Sequence, residues 1–254
     1  MKKRKAGIGI FVIVLIITAV RGKSMDSHRI SGRILAENIA GPGMMRLVEQ
    51  SMQAQAQKTS VTEIAVKEWK HPQAALTFDD GPDIRYTPLL LDGLKERNVR
   101  ASFFLLGEKV EQYPELVERM QKEGHLVGNH TYHHVQLNKL NETKAREEIL
   151  KTNNLIYETT GVYPLYLRPP FGAWKKNLEL CVEMLPVFWT IDTLDWKVKN
   201  TEKIVRTVKE QIEDGAIILM HDEYDTSVEA ALQVVDELKN QGYELVTVDQ
   251  LILP

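Results

Sequence analysis

The stretch Ala74-Ala75-Leu76-Thr77-Phe78-Asp79-Asp80-Gly81-Pro82 places two adjacent acids directly after a short apolar run. An apolar run of this length, followed by Gly and Pro, is typical of a buried strand that ends in a turn. Neighbouring side chains on a strand point to opposite faces, so the paired acids mark the end of the strand. Two interpretations are open: a solvated loop, or a metal ligand beside a general base.

Short apolar runs alternate with amphipathic segments from about residue 70 to the end of the chain. The predicted strands are 74–78, 101–107, 125–129, 165–167, 187–191, 216–220 and 243–248, and the predicted helices are 86–97, 110–122, 143–160, 178–185, 202–213 and 227–240. This alternation predicts repeated βα units and a mostly parallel sheet. Seven or so units within about 185 residues favour an α/β fold of the distorted (β/α) barrel type over an open sheet.

Polar residues follow five of these predicted strands. They are Asp79 with Asp80, His130 with His134, Arg168, Asp192 with Asp195 and Trp196, and His221 with Asp222. The carboxyl ends of parallel strands meet on one face, where active sites form in such folds. Solvation alone would scatter polar residues over both ends of the strands, so the pattern predicts one shared site.

The segment Asn129-His130-Thr131-Tyr132-His133-His134 carries two histidines four positions apart. If a helical turn begins here, this spacing places the imidazoles of His130 and His134 on one face. His133 lies between them and is expected to point elsewhere, in a structural or supporting role. Two histidines with this spacing and no other ligand nearby are more often structural. Together with the paired acids it favours an open metal site of two histidines and Asp80.

The remaining groups fit hydrolysis of an amide or ester. With Asp80 on the metal, Asp79 is free to act as general base, and Arg168 can pair with it. His221 can donate a proton to a leaving group, and an acid such as Asp195 can fix its tautomer.

The N-terminus has the pattern of an export signal. Met1-Lys2-Lys3-Arg4-Lys5 is basic, and the fifteen residues Ala6 to Val20 contain no charged side chain. As a helix they would span roughly 22 Å, less than the roughly 30 Å hydrocarbon core of a bilayer. A cleaved signal peptide and an uncleaved membrane anchor are both open for 1–23. Residues 24–69 are expected to form a linker, and 70–254 the catalytic domain.

Charge and cysteine content exclude several classes of protein. The net charge is −3, and residues 1–23 carry six positive charges and no acid, so the remainder carries −3 − 6 = −9. Nucleic acid is therefore not an expected partner, because phosphate binding needs clustered Lys and Arg. The single cysteine, Cys181, allows no intramolecular disulfide and is expected to be a buried helix residue.

Five motifs in order resemble those of the polysaccharide deacetylases, the NodB-homology group or carbohydrate esterase family 4. They read TFDDGP (77–82), HTYHH (130–134), RPPFG (168–172), DTLDW (192–196) and ILMHD (218–222). The resemblance extends from about residue 70 to the end, roughly three quarters of the chain. One such motif is a weak signal, whereas five in order at suitable separations are specific.

The resemblance implies a distorted (β/α) barrel with fewer than eight regular units. It implies that Asp80, His130 and His134 bind a divalent metal. Zinc is expected first, with cobalt or manganese as alternatives. It also implies that Asp79 is the general base and that Arg168 holds it.

The resemblance assigns the acid and the pocket as well. His221 would be the general acid, supported by Asp195. Trp196 and Leu219 would line the pocket for the acetyl methyl group. The backbone N–H of Phe171 would help to stabilise the oxyanion. The family often has tyrosine at this last position, and a main-chain role would tolerate the change.

The implied reaction removes the acetyl group from an N-acetylhexosamine of a polysaccharide. Export favours an extracytoplasmic glycan, with peptidoglycan N-acetylglucosamine first and chitin-type oligomers or muramic acid as rivals. Three alternatives belong to other classes: a non-catalytic glycan-binding protein, a hydrolase of a small non-sugar amide, and a membrane scaffold that recruits a partner through 24–69. Asp192 is open between a strand-end hydrogen-bond anchor and a role near Arg168.

Overall fold

A computed structural model describes residues 71–174 and 184–252 of the 254-residue chain. The predicted export segment (1–23) and linker (24–69) lie outside the described residues. So do Cys181 and most of the helix expected over 178–185.

The described residues confirm the predicted alternation of strands and helices. The strands are β1 (Gln73–Asp79), β2 (Ser102–Leu105), β3 (Leu126–Asn129), β4 (Tyr166–Leu167), β5 (Leu185–Pro186), β6 (Ile191–Asp192), β7 (Ala216–His221) and β8 (Glu244–Leu245). The helices are α1 (Tyr86–Glu96), α2 (Gly107–Gln112), α3 (Pro114–Lys122), α4 (Glu142–Thr160), α5 (Asp195–Val198), α6 (Thr201–Gln211), α7 (Asp225–Asn240) and α8 (Val248–Ile252), with 3-10 turns at Leu137–Lys139 and Pro170–Gly172.

All pairings in the sheet are parallel, and the strand order is β5-β4-β3-β2-β1-β7-β6, with β8 paired to the start of β1. The expected distorted (β/α) barrel is therefore confirmed. In register, Asp79 at the end of β1 lies opposite Phe104 of β2 and His221 of β7. The predicted base and the predicted acid thus stand on neighbouring strands at the same level.

Strand β1 is buried along its whole length and separates two layers of the core. Its residues Leu76 and Phe78 belong to the large cluster under the helices, which includes Leu90 of α1 and Val234 of α7. Ala75 belongs to a smaller inner cluster. Since side chains alternate along a strand, Thr77 and Asp79 share the inner side with Ala75. The alternation of side chains along β1 therefore directs Asp79 into the space enclosed by the sheet.

Several predicted boundaries were wrong. The helix expected over 110–122 is two helices, because Pro114 starts a new one and Tyr113 before it has non-helical backbone angles. The strand expected over 187–191 is replaced by β5 and β6 with an irregular segment between them. Of the strand expected over 243–248, only Glu244–Leu245 is paired.

Among the described residues, none of the helices combines the length and the apolar character that a membrane span requires.

His125 predicts an acid-sensitive contribution to stability. Its side chain is buried, and its Nδ1 accepts the backbone N–H of Ala101 at 3.1 Å. Burial lowers the pKa of His125 from 6.5 to about 4. The unfolded chain therefore takes up the proton first as the pH falls. The free energy of unfolding should decrease between about pH 6.5 and pH 4, by up to roughly 3 kcal/mol from this group.

Chemical denaturation across this pH range tests the prediction with His125→Gln, which keeps a hydrogen-bond acceptor but does not titrate. The variant should gain stability relative to the wild type as the pH falls. His71→Gln, which replaces an exposed histidine, is the control. A difference between wild type and His125→Gln that is constant with pH would contradict the prediction.

Candidate active site

The predicted site residues converge where β1, β3, β4, β6 and β7 end. The loops after these strands also contain residues with unusual backbone conformations. Seven described non-glycine residues have positive φ, and five of them lie in these loops: Asp80, Thr131, His134, Phe171 and Leu194. Such conformations are costly and persist where surrounding contacts enforce them, which is common at functional sites.

Asp80, His130 and His134 form the one group of potential metal ligands among the described residues, with ligand atoms within 4.8 Å of one another. Asp80 Oδ1 lies 3.4 Å from Nε2 of His130 and 3.4 Å from Nε2 of His134. Ligand atoms about 2.0–2.1 Å from a tetrahedral Zn²⁺ stand about 3.3–3.4 Å apart. Oδ1 is buried and has no hydrogen-bond partner among the described residues. The three side chains therefore fit a divalent cation.

The electrostatics of this group also suit a cation. Burial disfavours the charged form of Asp80, but the imidazoles of His130, His134 and His221 hold the pKa of its carboxyl below its ordinary value. Burial lowers the pKa of His134, which favours the neutral imidazole that a metal requires.

The histidine motif does not form the helical turn that would place both imidazoles on one helix face. Residues 130–136 are irregular, and Thr131 (φ 67°) and His134 (φ 54°) are left-handed. The side chain of Asn129 accepts the backbone N–H of Thr131 at 2.6 Å and so turns the chain as β3 ends. A tight loop, and not a helix face, brings the two imidazoles together, with ring centroids 5.0 Å apart.

The tautomer of His130 is set by the backbone. Its Nδ1 lies 2.6 Å from the carbonyl oxygen of Arg168, which can only accept a hydrogen bond. Nδ1 therefore carries the proton, and the lone pair of Nε2 faces Asp80.

Arg168 is fully buried and pairs with Asp79. Its Nη1 donates to Asp79 Oδ1 at 2.8 Å and to Thr77 Oγ1 at 2.6 Å. The guanidinium carbon lies 4.2 Å from the centre of the Phe104 ring. The second oxygen of Asp79, Oδ2, lies 3.7 Å from His130 Nε2. The carboxylate is thus held at one oxygen and presents the other beside the metal ligands.

The side chain of His221 is held in place by the carboxylate of Asp195. Asp195 Oδ1 lies 2.7 Å from His221 Nδ1, and Oδ2 accepts the backbone N–H of His221 at 2.8 Å. Burial alone would lower the pKa of His221, but the bond with Asp195 and the charges of Asp79 and Asp80 raise it to about 9. His221 Nε2 points toward the ligands, 3.9 Å from Asp80 Oδ2.

The other predicted residues lie around this centre. The Phe171 ring is 62% exposed, with its centroid 4.5 Å from that of His134. Trp196 on α5 is 49% exposed, whereas Leu219 on β7 is buried. Asp192 Oδ1 accepts the N–H of Leu194 at 2.9 Å, which matches the strand-end anchor.

Sequence reasoning gave no role to three residues that support the site. Thr77 accepts a hydrogen bond from Arg168 and donates one to the carbonyl of Ile218 at 2.7 Å. The hydroxyl of Thr87 donates to Asp222, whose carboxyl lies against Gly81 so closely that a Cβ there would be 2.5 Å from Oδ1.

Complete burial raises the pKa of Asp222 to about 7. This residue thus packs under the turn that carries Asp80. In the sequence, the position of Asp222 directly after His221 was the feature that could have indicated this supporting role.

Comparison with known proteins identifies relatives of most of the chain. The sequence profile for polysaccharide deacetylase matches residues 67–187. Peptidoglycan-N-acetylglucosamine deacetylase PgdA of Listeria monocytogenes is 44% identical over 177 residues, covering 70% of this chain and 38% of that protein. A peptidoglycan-N-acetylglucosamine deacetylase of Bacillus cereus is 40% identical over 186 residues, covering 70% of this chain and 68% of that protein.

A solved structure shares the fold. Peptidoglycan deacetylase PdaC from Bacillus subtilis superposes with a TM-score of 0.70 at 42% identity, covering 72% of this chain and 91% of that chain. The full-length protein is named a peptidoglycan-N-acetylmuramic acid deacetylase. The chain spans 38% of the length of PgdA and of full-length PdaC.

The pairing of Asp195 with His221 predicts a titration in the metal-free protein. Asp195→Asn should lower the pKa of His221 from about 9 by about one pH unit or more, because the carboxylate charge is lost. NMR titration of the imidazole Cε1–H measures this shift. A raised pKa stabilises the fold below about pH 6.5 and is lost as the pH rises through about 9, so the variant should lose this part of the pH dependence.

Asp192→Asn is the matched control, since Asp192 lies in the same segment and accepts from Leu194. It should leave the titration of His221 unchanged. Equal titration curves for Asp195→Asn and the wild type would show that another group raises the pKa.

Proposed function

Because the chain belongs to the polysaccharide deacetylase family, we propose that it is a metal-dependent hydrolase that removes N-acetyl groups from N-acetylhexosamine residues of a polysaccharide. One arrangement carries the proposal. The three candidate ligands lie close to a carboxylate held by a buried arginine and to a histidine held by a buried aspartate. Such a site supplies a base and an acid beside one reacting centre.

Asp80, His130 and His134 are the proposed ligands of the cation. We propose zinc, with cobalt or manganese as alternatives, because two imidazoles and one carboxylate form a common open zinc site. When bound, such a cation lowers the pKa of a coordinated water toward about 7 and polarises a carbonyl oxygen.

Asp79 is the proposed general base. Its Oδ1 is occupied by Arg168 at 2.8 Å, which leaves Oδ2 to take the proton of the attacking water. Neutralising Asp79 in the resting enzyme would leave the buried guanidinium of Arg168 without its anion. The pair therefore fixes the proposed base beside the proposed ligands.

His221 is the proposed general acid. Its Nδ1 proton is directed to Asp195, so in the charged imidazolium the Nε2 proton is the one that faces the site. In the metal-free protein, the raised pKa of about 9 keeps that proton in place at neutral pH. Transfer to the amide nitrogen as the carbon–nitrogen bond breaks releases a free amine and acetate.

The proposed acyl pocket follows from the family resemblance. The backbone N–H of Phe171 would stabilise the oxyanion, and Leu219 and Trp196 would contact the acetyl methyl group. The φ of 60° at Phe171 supports a specialised main-chain conformation at this position.

Peptidoglycan is the proposed polymer. The names of the relatives support it, but they include both N-acetylglucosamine and N-acetylmuramic acid deacetylases. We place N-acetylglucosamine first and keep muramic acid and chitin-type oligomers as rivals. Export by residues 1–23, as a cleaved signal or a membrane anchor, would bring the enzyme to this substrate.

Acetate release tests the proposed reaction. The full-length chain loaded with Zn²⁺ should release acetate from N-acetylglucosamine oligomers or purified peptidoglycan, and a chelator should stop the release. The better of the two polymers then names the substrate. Absence of acetate from folded, metal-loaded protein would favour the glycan-binding, small-amide or scaffold alternatives.

Asp79→Asn should separate catalysis from binding. The amide keeps the shape of the side chain but cannot act as the base, so kcat should fall about 10²–10⁴-fold. Metal content should be retained, since Asp80, His130 and His134 are unchanged. Asp92→Asn, an exposed acid on α1, is the control. A glycan-binding protein without activity would keep its affinity for the polymer in both variants.

A further inference from the structure

The loop that joins His130 to His134 holds a strained conformation. Its first and last residues, Thr131 and His134, have φ values of 67° and 54°. A β-branched residue such as threonine rarely adopts this region. Left alone, the loop would relax and carry His134 away from His130. Contacts from outside the loop must therefore maintain it.

Glu148 of α4 supplies three of these contacts. Its Oε2 accepts the backbone N–H of Tyr132 at 3.1 Å and that of His133 at 2.9 Å. Its Oε1 lies 2.8 Å from His133 Nδ1. Both N–H groups belong to the residues between the two candidate ligands. One carboxylate therefore binds both backbone N–H groups in the middle of the loop. Charge-assisted hydrogen bonds of this kind are among the stronger hydrogen bonds in proteins.

Helix α4 is a fixed base for this carboxylate. Ala145 and Ile149, on either side of Glu148 in sequence, are fully buried in one hydrophobic cluster. The side chain of Asn129, at the end of β3, donates to the carbonyl of Ile149 at 2.9 Å and to Asn153 Oδ1 at 2.6 Å. The helix is thus tied to the strand that leads into the loop, so the loop is fixed at its start and its middle.

We propose that Glu148 is a positioning residue for the metal, acting through the backbone of Tyr132 and His133 to set the separation of His130 and His134 before the cation binds. The inference rests on the proposed function, because it takes these two histidines as ligands. The carboxylate of Glu148 bonds to residues of the loop and not to the proposed ligands themselves. The proposal also gives His133 a supporting role, because its imidazole is the third group that contacts the carboxylate of Glu148.

Metal affinity tests this proposal directly. Zn²⁺ dissociation constants are measured for the full-length chain by competition with a chelating dye. Glu148→Ala should bind Zn²⁺ about 10–100-fold more weakly than the wild type, as is typical when groups that orient metal ligands are lost. Glu148→Gln keeps an acceptor oxygen and should lie between the two. Glu147→Ala removes an exposed neighbour on the same helix and should bind like the wild type.

A second measurement separates positioning from general stability. The d–d absorption of bound Co²⁺ reports the ligand geometry, and it should change in Glu148→Ala but not in Glu147→Ala. His133→Ala removes one contact and leaves both backbone bonds, so its loss of affinity should be smaller. If Glu148→Ala does not fold, Glu148→Gln and His133→Ala carry the test.

The two possible failures are distinct. Equal Zn²⁺ affinity and equal Co²⁺ spectra for wild type, Glu148→Ala and Glu147→Ala would overturn the role of Glu148 and leave the proposed function intact. A wild-type chain that binds neither metal would overturn the metal-dependent function, and the role of Glu148 with it.

Discussion

The fully buried charge of Arg168 is the constraint on which the site depends. A buried cation is costly unless it is paired and hydrogen-bonded. Here the guanidinium donates to Asp79 and Thr77 of β1 and lies over the ring of Phe104 of β2. The carbonyl of the same residue fixes the tautomer of His130. One residue at the end of β4 therefore orients the proposed base with its side chain and a proposed metal ligand with its main chain.

The two adjacent acids owe their different roles to the end of a strand. Asp79 is the last residue of β1 and still follows its alternation, which directs it to the inner side beside Arg168. Asp80 has left the strand, and its φ of 69° turns its carboxylate toward His130 and His134. The carboxyl of Asp222 lies so close to Gly81 that a side chain at position 81 would collide with it. A solvated loop would require none of this support.

The sequence predicted what repeats or lies close along the chain: the alternating elements, the strand ends and the order of the motifs. The residue types suggested that Arg168 pairs with Asp79 and Asp195 with His221. The other supporting contacts were not predicted, because their partners come from distant segments. Thr77 and Arg168 are 91 positions apart, and Thr87 and Asp222 are 135 apart. The conformation of the loop after β3 was not predictable for a related reason. Asn129 holds the left-handed Thr131, and Glu148 of α4 holds the N–H group of His133, which the local spacing of histidines does not reveal.

The same arrangement explains how one small site can hold both a proton acceptor and a proton donor. A base must be ionised and an acid protonated at the same pH, although both face the same cation site. Asp79 is tied to a cation and His221 to an anion, and each partner is itself buried. These two pairs hold the proposed base and the proposed acid in place before substrate arrives. Phe171 and Trp196, in contrast, are about half exposed or more. Buried charge pairs beneath an open aromatic rim suit the proposed substrate, a polymer that lies across the surface and presents one acetyl group at a time.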